Sequence, residues 1–392
     1  MRVKILRYLK HLGLTILVLL TIAIVIGLQL GAAANYGDNP LMFHLDKEGP
    51  YVFYKNDSTL NINYIRGNKN DGFYVDRQDC PVDSLIGATS FFALDSSCFH
   101  FTINTEIGSP PTTYKDEHPI LAISDIESGY KTFRDFLINN KVIDEKLNWT
   151  FGRGHLVLVG DFIDRGCSTT QVLWLIYKLE QSARLKGGFV HYILGNHELK
   201  NLQGKYESAS PKYYGVAAIL GKQQHHLYDS NSFIGRWMAS KNSVELINDH
   251  LFAHGGIHPD VAEIKADLNE INQIIRSNYY LPYFPKQENT VEQLLTSTKK
   301  GVNWYRGYFK EDLTQEQIEN ILKRFGAKAV VVGHTLQSRV NSKYNGRVIG
   351  IDIRHPKDYR KTWPHKDSEG LLIKGDKYFR VFSDGRRKPL SL

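Results

Sequence analysis

Five short apolar runs, each followed within two residues by a side chain able to bind a metal, constrain this chain more than any other feature. The runs at 120–123, 156–159, 190–194, 250–253 and 329–332 are nearly all apolar, as strands buried on both faces are. Amphipathic helical patterns fill the gaps at 130–140, 169–185, 261–277 and 315–325. The last follows Thr314 with Gln317 three positions on, a capping-box start. Strands alternating with helices predict an α/β domain.

The side chains after the runs are Asp125, Asp161, Asn196, His254 and His334. Each taken alone has an ordinary explanation, since Asp and Asn after a strand serve as turn or cap residues and a lone His is commonly structural. Together they are harder to dismiss. Ligands gather at the C-terminal ends of strands in α/β sheets, so five separate segments could deliver five donors to one crevice. Oxygen and imidazole donors without thiolate suit Mn, Fe or Zn. Two such ions about 3.5–4 Å apart can share a carboxylate, activate water at neutral pH and clamp phosphate oxygens.

The strings Asp125-Ile126-Glu127, Gly160-Asp161-Phe162-Ile163-Asp164-Arg165-Gly166, Gly195-Asn196-His197-Glu198, His254-Gly255-Gly256 and Gly333-His334 occur in that order. As an ordered set this resembles the motifs of the calcineurin-like metallophosphoesterases. The Asp-Arg-Gly ending of the second string, and Trp304-Tyr305-Arg306-Gly307, are similar to the phosphoprotein phosphatases, particularly the bacterial Shewanella-like branch. The resemblance covers about 120–382 and implies a sandwich of two β-sheets flanked by helices. It further implies that Asp125 binds a first metal, Asp161 bridges two, and Asn196, His254 and His334 complete the second. By the same resemblance His197 protonates the leaving oxygen with Asp164 orienting it, while Arg165, Arg306 and Asn196 grip phosphate. One departure stands out: the family has His two positions after the first Asp, where this chain has Glu127. A Glu127 oxygen on the first metal would make that site harder, favouring Fe, Mn or Mg over Zn. The expected cofactors are two ions, Mn and/or Fe, with Zn as a further option.

Outside this region, Arg2, Lys4, Arg7 and Lys10 precede an uncharged run at 12–34, long enough at about 1.5 Å per residue to cross about 30 Å of hydrocarbon. An uncleaved membrane anchor with the remainder facing outward (the periplasmic side, if bacterial) is expected over a cleaved signal peptide, although Ala32-Ala33-Ala34 would pass as a cleavage site. Residues 1–11 are then a cytoplasmic basic flank. Short aromatic and β-branched runs at 51–54, 60–64 and 73–75 predict a β-rich region over 40–112, and 118–392 form the catalytic domain, with a cap-like insertion at about 199–242.

The net charge of +8 fits acidic substrates or headgroups, or simply solubility, and no nucleic-acid partner is expected. Cys80, Cys98 and Cys167 are too few for a disulfide framework; the first two could pair, and Cys167 reads as a buried, inert thiol. His225 and His226 are adjacent, so they would not face one ion together, and Arg236 reads as a surface ion-pairing residue. Nothing in the sequence sets the oligomeric state. The expected reaction is hydrolysis of a phosphate monoester, of a phosphoprotein or a small ester, by direct attack of metal-activated hydroxide. The alternatives are a phosphodiesterase, a dinucleoside polyphosphate hydrolase, or a binding protein that keeps the fold and has lost turnover.

Overall fold

The computed structural model describes residues 2–29, 32, 34–284, 290–310, 313–364 and 366–392. Leu30, Gly31 and Ala33 of the apolar N-terminal run lie outside the described residues.

The five runs become strands, divided between two six-stranded sheets. In the first, Ile120–Ile123 lies parallel to His155–Val159, which lies parallel to Phe189–Ile193. Three antiparallel C-terminal strands, Glu369–Lys374, Lys377–Phe382 and Arg387–Pro389, extend this sheet beyond Ile120–Ile123. In the second, Ala329–Val332 runs parallel to both His250–Ala253 and Val348–Gly350. Ile120, Val157 and Leu371 from one sheet share a buried cluster with Phe252, Val331 and Ile349 from the other, so the sheets face each other across an apolar layer. This is the expected α/β arrangement. The strands are apolar on both faces because helices cover the outer side of each sheet.

The helices follow their local signals. Thr169–Leu185 forms as the periodicity predicts. Gln315–Phe325 starts at the Thr314 capping box and stops at Gly326, whose φ of +66° is left-handed. The expected single helix over 261–277 is two, Pro259–Ala262 and Leu268–Ser277. The break has a local cause: Asp267 accepts from Glu270 N at 2.9 Å and Glu270 Oε2 accepts from Asp267 N at 2.8 Å, a second capping box inside the periodic stretch.

The β-rich segment is a three-stranded sheet, Tyr51–Asn56, Thr59–Asn68 and Gly72–Pro81, plus the hairpin Ile86–Phe92 with Ser97–Ile103. Its core is continuous with that of the α/β part. Trp174 on the 169–185 helix joins them, stacking on Phe101 at 4.7 Å and donating from Nε1 to Pro50 O at 2.9 Å. The stretch at 199–242 contains the helices Pro211–Ile219 and Phe233–Ala239, and Tyr54 N donates to Asn231 O at 2.9 Å. The stretch therefore packs against the β-rich sheet.

Cys80, Cys98 and Cys167 are free thiols, and Cys167 is buried against Ser210 Oγ at 3.3 Å. Arg236 stacks over the Tyr54 ring at 3.6 Å, and among the described residues it does not form the expected ion pair. His226 Nδ1 accepts from Gln223 N, a local turn contact. Arg2–Gln29 is one helix, about 42 Å long at 1.5 Å per residue, and none of its apolar window packs against the rest of the chain.

Candidate metal centre

The donors converge because the two sheets bring their strand ends together. Asp161 leaves His155–Val159 through Gly160, where a Cβ would meet His254 Nδ1 at 2.5 Å and Gly195 Cα at 2.6 Å. Only glycine permits that approach. Ligand atoms of Asp161, His254 and His334 all lie within 4.8 Å of one another. Asn196 joins them, its Oδ1 3.2 Å from His254 Nε2. Asp125 is buried beside this group, and its Oδ2 accepts from His334 N at 3.2 Å. Asp125, Glu127, Asp161, Asp164, Arg165 and His334 all have positive φ. Such backbone costs about 1–3 kcal/mol per residue and clusters where function over-determines it.

Hydrogen bonds on the far ring nitrogens aim the imidazoles. His254 Nδ1 donates to Val159 O at 2.7 Å, turning Nε2 towards Asp161 Oδ1 at 3.2 Å. His334 Nε2 donates to Trp304 O at 2.8 Å, leaving Nδ1 buried without a hydrogen-bond partner. A buried acceptor so aimed, among a carboxylate, an amide oxygen and a second imidazole, fits a metal ligand set. Burial opposes charge on Asp161, yet His254 and His197 hold its carboxyl far below the usual range. Burial likewise opposes charge on His254, but Asp161 lifts its pKa to about 10. A cation bound here would displace that proton. Burial, with the His254 charge adding to it, pushes His334 down to about 2, so its imidazole stays neutral and able to ligate.

Glu198 braces the two central loops. Its carboxylate accepts from Asp161 N at 2.9 Å, Phe162 N at 2.8 Å, Gly195 N at 2.8 Å and Tyr192 Oη at 2.9 Å. One buried side chain thereby ties the loop carrying Asp161 to the helix start carrying Asn196.

Beside the donors, His197 Nδ1 lies 2.7 Å from Asp164 Oδ2, and Asn201 Nδ2 donates to Asp164 Oδ1 at 2.9 Å. Burial lowers the His197 pKa, but Asp161 and Asp164 more than offset it and the net shift is upward. Arg165 Nη2 donates to His197 Nε2 at 3.0 Å, which requires the neutral tautomer in this arrangement. Arg306 is exposed at the rim, where Nη1 donates to His334 O.

Glu127 does not join the cluster of Asp161, His254 and His334. Its Oε1 pairs with Arg165 Nη1 and its Oε2 with Lys357 Nζ at 2.7 Å. Burial would raise its pKa, but Lys357 and Arg165 bring it below the usual value. Sequence reading named Glu198 within its motif string without giving it a role, and it missed Lys357 and Asp352. Burial, and then the charges of the Asp161 and Glu127 carboxylates against an opposing His254, bring Asp352 to about 7; burial and Asp352 in turn raise Asp125. A signal for Asp352 exists in the sequence, the apolar run 348–351 ending in an acid, but a run so short and broken by Gly350 carries little weight alone.

Residues 118–338 match the model of the calcineurin-like phosphoesterase family. Shewanella-like protein phosphatase 1 of Plasmodium berghei is 28% identical over 247 residues, which are 59% of this chain and 66% of that protein. Shewanella-like protein phosphatase 2 of Arabidopsis thaliana is 22% identical over 325 residues, 69% of this chain and 78% of that protein. Among solved structures, a cold-active protein-tyrosine phosphatase of a psychrophilic Shewanella species superposes with a TM-score of 0.76 at 29% identity, covering 88% of this chain and 99% of that one.

Proposed function

We propose that this chain, which belongs to the calcineurin-like phosphoesterase family, is a two-metal phosphatase that hydrolyses phosphate monoesters. The observation that carries the reading is the convergence of Asp161, His254 and His334 from two facing sheets, with the His197–Asp164 pair beside them. In this reading Asp161 and Asp125 would hold a first ion, and Asp161 with Asn196, His254 and His334 would hold a second. Oxygen-rich donors favour Mn or Fe. When bound, the ions supply an activated water and neutralise charge on the phosphate oxygens.

The chain's own residues do the rest. Arg165 and Arg306, both exposed at the rim, grip the terminal phosphate, and Asn196 adds an amide contact. Transfer of Arg165 from His197 to the phosphate uncovers His197 Nε2 beside the leaving oxygen, and Asp161 and Asp164 favour a proton there. His197 gives that proton to the departing alcohol or phenol while Asp164 holds the ring in place. The names of the Plasmodium, Arabidopsis and Shewanella relatives favour a phosphoprotein substrate over a small ester. The Arg2–Gln29 helix, which carries Lys4, Arg7 and Lys10 in its first turns and no charged side chain from Leu12 onward, supports a membrane anchor with the catalytic part on the opposite side from the basic end.

The test is metal-dependent hydrolysis of para-nitrophenyl phosphate and of phosphopeptides by the full chain in detergent, supplied with Mn or Fe. Activity that disappears on chelation, and in Asp161→Asn, is the expected result. Full activity in Asp161→Asn refutes the site, and preferential hydrolysis of diesters or dinucleoside polyphosphates would reassign the substrate class.

A further inference from the structure

The chain leaves the Arg2–Gln29 helix and enters a small ribbon almost at once. Leu12 to Gln29 rise about 27 Å as a helix, close to the hydrocarbon thickness of about 30 Å, so an anchor built on them ends its last turn at the lipid–water boundary. Ala32 N donates to Gly27 O at 2.8 Å, which ties Ala32 to that turn, and the strand Ala34–Tyr36 begins two residues later. Two residues of extended chain span about 7 Å at most. The strand pairs antiparallel with Lys361–Trp363: Ala34 lies opposite Trp363, Asn35 opposite Thr362 and Tyr36 opposite Lys361. The ribbon belongs to neither six-stranded sheet.

Side chains alternate along a strand, and residues directly opposite each other share a face. Ala34, Tyr36, Lys361 and Trp363 therefore form one face of the ribbon, and Asn35 and Thr362 the other. The two polar residues satisfy each other, Thr362 Oγ1 donating to Asn35 Oδ1 at 2.8 Å. The four on the first face are all exposed, Tyr36 at 55% and Trp363 at 57%, and so is the neighbouring Arg360. Tyr and Trp beside cations are the side chains that settle at a membrane surface, the rings at headgroup level and the cations on lipid phosphates. The ribbon also reaches the candidate centre. Asn39, three residues past Tyr36, donates from Nδ2 to Cys167 Sγ at 3.3 Å, two residues past Arg165. Lys357, four residues before Lys361, holds Glu127 at 2.7 Å.

We propose that the face of Tyr36, Lys361 and Trp363 docks into the headgroup layer of the bilayer, with Lys361 and Arg360 on lipid phosphates. The inference rests on the membrane-anchor reading above. Through Asn39 and Cys167 the docked ribbon holds Arg165 within about 30 Å of the bilayer surface, since the chain between them is no longer than that when fully extended. The rim of the site therefore opens beside the membrane.

The experiment is tryptophan quenching in nanodiscs. The full chain is reconstituted in discs of phosphatidylcholine and phosphatidylglycerol, with or without bromine on the acyl chains. Wild-type emission should fall in the brominated discs. That of Trp363→Phe should fall far less, because Trp149, Trp174 and Trp237 are buried and Trp304 is half-buried at the candidate centre. In the Trp363→Phe background, Tyr36→Trp should restore the quenching, and Thr362→Trp, on the opposite face, should not. Equal quenching of wild type and Trp363→Phe overturns the inference, as does failure of Tyr36→Trp to restore it or equal restoration by Thr362→Trp. Protein that stays out of the discs altogether overturns the anchor reading, and the inference with it.

Discussion

Arg165 holds Glu127 with one guanidinium nitrogen and His197 Nε2 with the other, the latter at 3.0 Å, so one exposed side chain joins the departure from the family pattern to the proposed proton donor. Phosphate and Glu127 then compete for the same guanidinium. Glu127→Gln weakens the competitor, and inorganic phosphate should inhibit that variant about tenfold more tightly, a difference of about 1.4 kcal/mol. Product-inhibition constants measured side by side check this; an unchanged constant would mean that Arg165 does not leave Glu127 on binding.

Asp164 orients His197 through a 2.7 Å contact, and its other oxygen is held by Asn201. Asp164→Asn should lower kcat about 10²-fold or more on an alkyl phosphate, which needs a proton on the leaving oxygen, and far less on para-nitrophenyl phosphate, whose leaving group departs as the anion. KM should change little. An equal loss on both substrates would assign Asp164 to folding or metal geometry instead of proton transfer.

Glu198 takes three backbone N–H groups and the Tyr192 hydroxyl in a fully buried position. In Glu198→Gln an NH₂ group replaces one acceptor and faces donors, costing about 3 kcal/mol. Thermal melting should fall by several degrees, and metal affinity should fall with it because Asp161 and Asn196 lose their common brace. Retained stability and retained affinity together would contradict the brace.

His355 is buried, with Nε2 on Ser124 O, and desolvation lowers its pKa to about 4. Unfolded, the ring titrates near 6.5 and the unfolded chain takes the proton first. Stability is therefore intact above about pH 6.5 and falls as the pH drops from there towards about 4. The shift corresponds to about 3 kcal/mol at most. His355→Gln, which keeps a donor but does not titrate, should flatten this part of the stability profile measured by denaturant unfolding.

Local chemistry made several elements legible. The 169–185 helix and the capped start at Thr314 need only their own periodicity and caps. The segment at 261–277 was misread as one helix because the Asp267–Glu270 box competes with an otherwise continuous apolar period. The C-terminal strands of the first sheet escaped notice because Lys374, Gly375, Asp376 and Lys377 make their hairpin look like a polar loop, and the partner that buries Leu371 and Ile373 is Ile120–Ile123, some 250 residues earlier.

The sequence by itself determined the chemistry on offer: five apolar strands, a donor at or near each C-terminal end, and the family those donors identify. Strand periodicity and donor type are properties of neighbouring residues, so they can be read one segment at a time. Only the tertiary structure decided which partners each carboxylate finds. Glu127 lies two residues from Asp125 yet turns to Arg165 and to Lys357, the latter 230 positions along the chain. The physical reason is that charge pairing and strand register act through space: one of the two cations on Glu127 comes from residue 357, and Leu371 meets Ala122 only because their strands pair.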